Sequence, residues 1–298
     1  MLRRSRILRA LVALAALAPG LPVPGCRRVA RDAAAAGAAA SGAAGEPFEA
    51  TVAEGDSAFA ARGDPARLSA ALAAYGRAAA EKPREPEAEV RLSRAEAFRG
   101  LSEQDPGQAR EAWLASARAA ERALRQLSPG FAEAIDRGDD PAAAAAGVGA
   151  SGAEALYLLA QGTMRVAQAT GYAAVLSAKD AAVAMMSRAA ELDERVDAAG
   201  PHRALGAWRA ALPIAAGGGA AASRAHFDRA RVLYPDDMLA RVAEAETLAV
   251  LLQDGARFDA LLREVEAFDP ARDPARAPEN RIARRRATEL VARRARLF

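Results

Sequence analysis

The chain has one cysteine in 298 residues, Cys26, so no disulfide can form within it. Only two lysines, Lys82 and Lys179, are present, and arginine carries the rest of the positive charge. The two histidines, His202 and His226, fall on separate expected helices without a serine, cysteine or acid motif beside them, which argues against acid–base catalysis. Both read as helix-face or capping residues. Aromatics reach 5%, and hardly any stretch alternates Val, Ile and aromatic residues in the manner of a strand. Abundant alanine instead favours helix and close helix packing. Neither glycine-rich segment carries the partners that phosphate binding needs. Gly217, Gly218 and Gly219 are followed by Ala220, Ala221 and Ala222, where a P-loop needs a lysine and a hydroxyl, so they read as a turn between helices. Gly147, Gly149 and Gly152 make a formal GxGxxG without the strand that must precede it, and residues 137–152 read as loop.

The amino terminus has the order of a secretory signal. Arg3, Arg4, Arg6 and Arg9 precede an apolar run, Ala10 to Ala18, that is too short to span a bilayer, and "PGLPVPGC" follows. Cys26 stands where a lipoprotein signal places its acylated cysteine; Val23 and Gly25 fit the lipobox and Pro24 departs from it. Arg27 is not the aspartate of an inner-membrane retention signal, so the expected location is the periplasmic face of the envelope, lipid-anchored, at the outer rather than the inner membrane. Removing residues 1–25 takes four arginines and no acid, leaving 37 basic against 38 acidic residues from totals of 41 and 38. The apparent basicity thus belongs to the signal, and nucleic acid is not an expected partner. Residues 26–47, rich in alanine with glycine and a single serine and without a bulky apolar residue to bury, read as a flexible tether.

From residue 48 to 298 the pattern is that of one helical-repeat domain. Tyr75, Ala78 and Pro83 repeat the spacing of Phe227, Ala230 and Pro235: a bulky knob, a small residue one turn later, and a helix-stopping proline. Pro270 lies 35 residues after Pro235, close to the tetratricopeptide period of about 34. The expected fold is all-α: a tetratricopeptide-like α-solenoid of stacked antiparallel helix pairs, ended by a capping helix from about Pro278 to Phe298. That cap puts Ile282, Ala283, Ala287, Leu290 and Val291 on one side. The arginines Arg284, Arg285, Arg286, Arg293 and Arg294 read as its solvated face, with an acidic lipid or partner surface as the alternative. Met185 and Met186 read as core.

From Val183 to Phe298 the collinear blocks "MMSRAAELDE", "PHRALGAWRAALP", "GGG", "HFDRARVLYP", "VLLQDGARFDALLREVEAFDP", "ENRIARRRA" and "RLF" resemble the T-component of TRAP transporters. The resemblance implies a non-catalytic periplasmic lipoprotein with tetratricopeptide-like helices, associated with a TRAP solute-binding protein. It also implies that the chain can form homotrimers. No cofactor, metal or catalytic residue is implied. Trp208 reads as core packing, with the wall of a hydrophobic channel as the alternative; Asn280 reads as satisfying backbone groups in the first turn of the last helix, with partner binding as the alternative. A generic tetratricopeptide scaffold lipoprotein for envelope assembly is the competing function.

Overall fold

The computed structural model describes residues 48–298; the signal, Cys26 and the tether lie outside the described residues. The described chain is all-α, with thirteen α-helices and no strand among the described residues. In chain order these are α1 (Phe48–Ala60), α2 (Pro65–Glu81), α3 (Pro86–Ser102), α4 (Pro106–Leu127), α5 (Pro129–Arg137), α6 (Pro141–Ala146) and α7 (Ala153–Thr170). They continue with α8 (Tyr172–Leu192), α9 (Val196–Ala211), α10 (Ala220–Leu233), α11 (Met238–Glu244), α12 (Gly255–Ala267) and α13 (Ala277–Arg293).

Many of these starts are written in adjacent residues. Asp64, Asp105, Ser128 and Asp140 each accept a backbone N–H of the first turn and each precedes a proline, which fits the first helical position because its missing donor would be unpaired there anyway. One such Asp–Pro pair makes α6 inside the segment read as loop. Asp140 caps it, Ala145 is fully buried, and Val148 just beyond is 1% exposed. The glycines in that segment serve packing: a side chain on Gly152 would run into Val148 and Leu124.

Helices adjacent in sequence pack as pairs, α1 on α2, α3 on α4, α7 on α8 and α9 on α10. In three of these pairs an aromatic ring from the second helix lies over a glycine of the first: Tyr75 over Gly55, Trp113 over Gly100, and Phe227 over Gly206. A β-carbon at Gly206 would stand 3.0 Å from the Phe227 ring, so the absent side chain is what lets α10 approach. Ser223 completes this contact by donating to the Gly206 carbonyl at 2.8 Å. Between α9 and α10, Gly217 and Gly219 adopt φ of 77° and 113°, which places the triple glycine in a tight turn as the sequence led one to expect.

Besides a small cluster of Phe48, Val52, Ala78 and Ala88, two large apolar cores result. One joins α3 to α9 around Leu124, Phe131, Tyr157, Met185 and Met186. The other joins α1–α3 to α11–α13, bringing Tyr75 and Phe98 together with Phe258, Leu261 and Ile282. The last helix is therefore more than a cap, because it closes the carboxyl-terminal helices onto the amino-terminal ones. Arg62, just after α1, donates to both carboxylate oxygens of Glu279 on α13 at 2.9 and 2.7 Å. Ile282, Ala283, Ala287 and Leu290 are buried as expected, whereas Val291 is 47% exposed because it falls on the outer edge of that apolar stripe.

Candidate functional site

Between the two cores lies a cavity of about 870 Å³, walled by residues from α1, α3, α4, α7, α9, α11 and α13. One wall is apolar: Ala204, Ala207, Trp208 and Ala211 of α9 face it, with Leu158 of α7 and Trp113 of α4. These alanines recur at helical spacing and leave open the space that larger side chains would fill.

The opposite surfaces are strongly polar. On α7 the residues Tyr157, Gln161, Arg165 and Gln168 follow one another at four, four and three, a single stripe along a helix whose other positions, among them Leu156, Leu159, Met164 and Val166, are buried. A nearly all-apolar helix with one polar stripe is what an internal cavity demands. That stripe was the one sequence signal for the site, since Trp113, Tyr157, Arg165 and Arg203 carry no catalytic or ligand motif. On the α11 side, the helix runs on through a π-helical turn, Ala245–Ala249, and Glu246 and Thr247 of that turn enter the wall.

A charge network, buried at Arg203, Asp237 and Tyr157 and open to solvent at Asp197, forms one end of the cavity. Arg203 donates to Asp197 at 2.6 Å and to Asp237 at 2.5 Å, Arg276 donates to Asp197 at 2.5 Å, and the Tyr157 hydroxyl donates to Asp197 at 2.6 Å. Asp237 is 1% exposed and also caps α11 through the Leu239 N–H. Burial pushes the Asp197 carboxyl up, but Arg276, Arg203 and Tyr157 together hold it well below the usual carboxylate range. Burial and the Asp197 charge push the Tyr157 hydroxyl far up, so it acts as a donor at all physiological pH. The network also holds an unusual backbone: Asp197, Ala198 and Ala199 have φ of 47°, 55° and 62°. Left-handed backbone costs roughly 1–2 kcal/mol per non-glycine residue, and here the ion pairs to Asp197 offset that strain.

Of the residues singled out from sequence, Trp208 lines the cavity and is 8% exposed. Asn280 does not reach it: its side chain is buried, and its Oδ1 accepts the Met238 N–H, tying α13 to the start of α11 rather than capping its own helix. The arginine face of α13 divides. Arg286 turns into the cavity wall with its nitrogen 3.7 Å from Glu246, Arg285 donates to the Ser102 carbonyl, Arg294 pairs with Asp259, and Arg284 is exposed. Arg286 departs from the solvated-face reading because closure of α13 onto the rest of the molecule covers that side.

The histidines, far apart in sequence, meet: His202 Nδ1 and His226 Nδ1 are 3.0 Å apart where α9 packs on α10. Such a bond needs at least one neutral ring to accept, and burial together with the facing His202 and Arg209 lowers His226 to about 4. His202 is lowered too, by burial, against the opposing pull of Glu194; Arg229 pairs with that same Glu194. A folded pKa below the unfolded 6.5 means the unfolded chain takes up protons first. The stabilisation is therefore full above about pH 6.5 and is lost as pH falls towards about 4. After discounting for partial exposure, about 1–2 kcal/mol should disappear over that window. Denaturant midpoints measured from pH 7 to 4.5 should show this slope, and His226→Gln should flatten it; an equal slope in the variant assigns the loss to other groups.

Among the described residues there is no cluster of three or more His, Cys, Asp or Glu able to hold a metal, and no helix long and apolar enough to cross a membrane. Comparison with curated proteins gives no match. The family model of the TRAP transporter T-component matches residues 65–298, which takes in every helix from α2 onward and almost the whole cavity wall. On that match, which covers well over half its length, the chain belongs to the TRAP transporter T-component family.

Proposed function

We propose that this chain is the lipid-anchored accessory protein of a TRAP-type solute transport system. It docks on the system's periplasmic solute-binding protein and holds an apolar ligand, or the apolar part of one, in the cavity beside Trp208. Family membership carries the reading, since it implies association with a TRAP system and with the cell envelope. The physical support is the cavity, whose alanine-lined wall with Trp113 and Trp208 offers apolar surface inside a walled space. In this reading the paired helices are tetratricopeptide-like units, Cys26 is acylated and anchors the chain, residues 26–47 give it reach, and three copies assemble. Buried Asn280 then acts by positioning α13 rather than by touching a partner. The role needs no catalytic turnover.

The test is co-purification. The tagged full-length chain, recovered from its own envelope fraction, should bring down a TRAP solute-binding protein. Cys26→Ser should move it from the detergent phase to the aqueous phase. Recovery of envelope-assembly components without a solute-binding protein would transfer the role to a generic scaffold, and a Cys26→Ser protein that stays fully in the detergent phase would remove the anchor.

A further inference from the structure

The cavity wall carries six arginines and five acidic side chains, and a sixth carboxylate, Asp237, lies against Arg203 at the cavity's end. Five of the arginines have a carboxylate partner. Arg62 pairs with Glu279, Arg94 with Glu154, Arg203 and Arg276 with Asp197 and Asp237, and Arg286 lies 3.7 Å from Glu246. Arg165 has none. Its guanidinium makes no hydrogen bond or salt bridge among the described residues, and its nearest aromatic partner is the Trp113 ring, 5.7 Å from its central carbon. It stands about two-thirds of the way along α7, in the polar stripe that faces the cavity, and shares the wall with the alanines of α9.

An arginine held in the wall of a half-apolar cavity with no counter-ion is costly, and proteins otherwise pair or solvate such a group. Burial, the nearby Arg286 and Arg203 press on it from the same direction, lowering Arg165 to about 10, with only Glu246 and Tyr157 opposing. An anion bound at Arg165 would relieve both the desolvation and the repulsion. A planar guanidinium also matches a carboxylate through two parallel N–H···O bonds.

We propose that Arg165 is the anchor for the head of a singly charged amphipathic carboxylate, whose apolar part lies along Trp113, Trp208 and the alanines of α9. The inference rests on the reading of the cavity as a ligand site and adds the class of ligand. One unpartnered guanidinium offers a place for one carboxylate, which sets the ligand's charge at minus one. A dianion would meet Glu246, Asp197 and Glu154 without a second free cation to offset it. A neutral alkane would leave Arg165 unpaired. The apolar wall in turn disfavours small hydrophilic acids.

The two tryptophans of the chain are Trp113 and Trp208, and both line the cavity, so intrinsic fluorescence reports its occupancy directly. Octanoate, octanol and octanedioate are titrated into the purified full-length protein. Octanoate should bind roughly tenfold to a hundredfold more tightly than octanol, the range expected of a charge-assisted pair, and more tightly than octanedioate. Arg165→Met should abolish the preference over octanol while still binding octanol and unfolding at or above the wild-type temperature; Arg165→Lys should keep part of the preference. Equal binding of octanoate and octanol by the wild type, or an undiminished preference in Arg165→Met, overturns the proposal. Recovery of the solute-binding protein is scored in parallel with Arg165→Met. If the partner is recovered but carboxylate preference is absent, only this inference fails; if the preference is present but no partner is recovered, only the docking reading fails.

Discussion

Replacing Arg203 with methionine is expected to lower the unfolding free energy by about 3–5 kcal/mol, the usual cost of removing one partner from a buried ion pair. Methionine nearly matches the arginine stem in volume, so the loss isolates the charge rather than a void. It leaves Asp237, 1% exposed, without its 2.5 Å partner, with only Arg276, 3.7 Å away, as a remaining cation. It also removes one of the two guanidiniums that hold Asp197, so the left-handed run Asp197–Ala199 loses part of its support. Urea unfolding at pH 7 reads the effect. A change below about 1 kcal/mol would show that the pair is screened like a surface one, since exposed pairs contribute about 0–1 kcal/mol. Asp197 sharpens the test: its carboxyl is held below its ordinary range, so its stabilising share persists above its unfolded pKa and disappears only as pH falls through the folded value. The Arg203 variant should therefore differ most from wild type at neutral pH and converge with it in strong acid.

The second large effect is expected at the closure. Arg62→Met should also cost about 3–5 kcal/mol, because it strands the buried Glu279 carboxylate. Both side chains of this pair are 9% exposed, and Arg62 also donates to the Ala275 carbonyl at 2.5 Å and lies over the Phe59 and Phe98 rings at 4.8 and 5.3 Å. What separates this variant from Arg203→Met is where the loss appears. Hydrogen exchange should quicken in α1, α2 and the first turns of α13, which the bridge joins, and much less in α7 and α8, which belong to the other core. Uniform loss of protection along the chain would mean that the bridge adds global stability without acting as a clasp. A chain that opens there should also lose octanoate affinity, since Phe59, Arg62 and Glu279 are part of the cavity wall.

Much of this was legible residue by residue. Asp or Ser before proline, as at Asp64–Pro65 and Asp105–Pro106, starts a helix through a cap and a preset φ, and both effects act within a turn. The knob and small-residue spacing of Tyr75 with Ala78, and of Phe227 with Ala230, marked buried faces, and all four side chains are at most 2% exposed. The lack of a lysine after Gly219 excluded a phosphate loop. Where local reading failed, the competing signal was also local: alanine after Asp140–Pro141 forms α6 in spite of the glycines around it.

The cavity could not be read in that way. Arg165 sits on a nearly all-apolar helix and Arg286 in a run of three arginines, and neither context names a partner or an enclosure. Only the folding of α13 back onto α1–α3 encloses them, and this closure depends on pairs such as Arg62 with Glu279, 217 residues apart. The same holds for His202 with His226, and for Arg276 with Asp197, 79 residues apart. Sequence alone determined the all-helical class, the helix starts and the small residues that let helices approach, because propensity, capping and period act over a few residues. Tertiary structure decided which polar groups lie inside and which of them find partners. Burial and charge pairing depend on distances in space, which residue spacing along the chain does not encode.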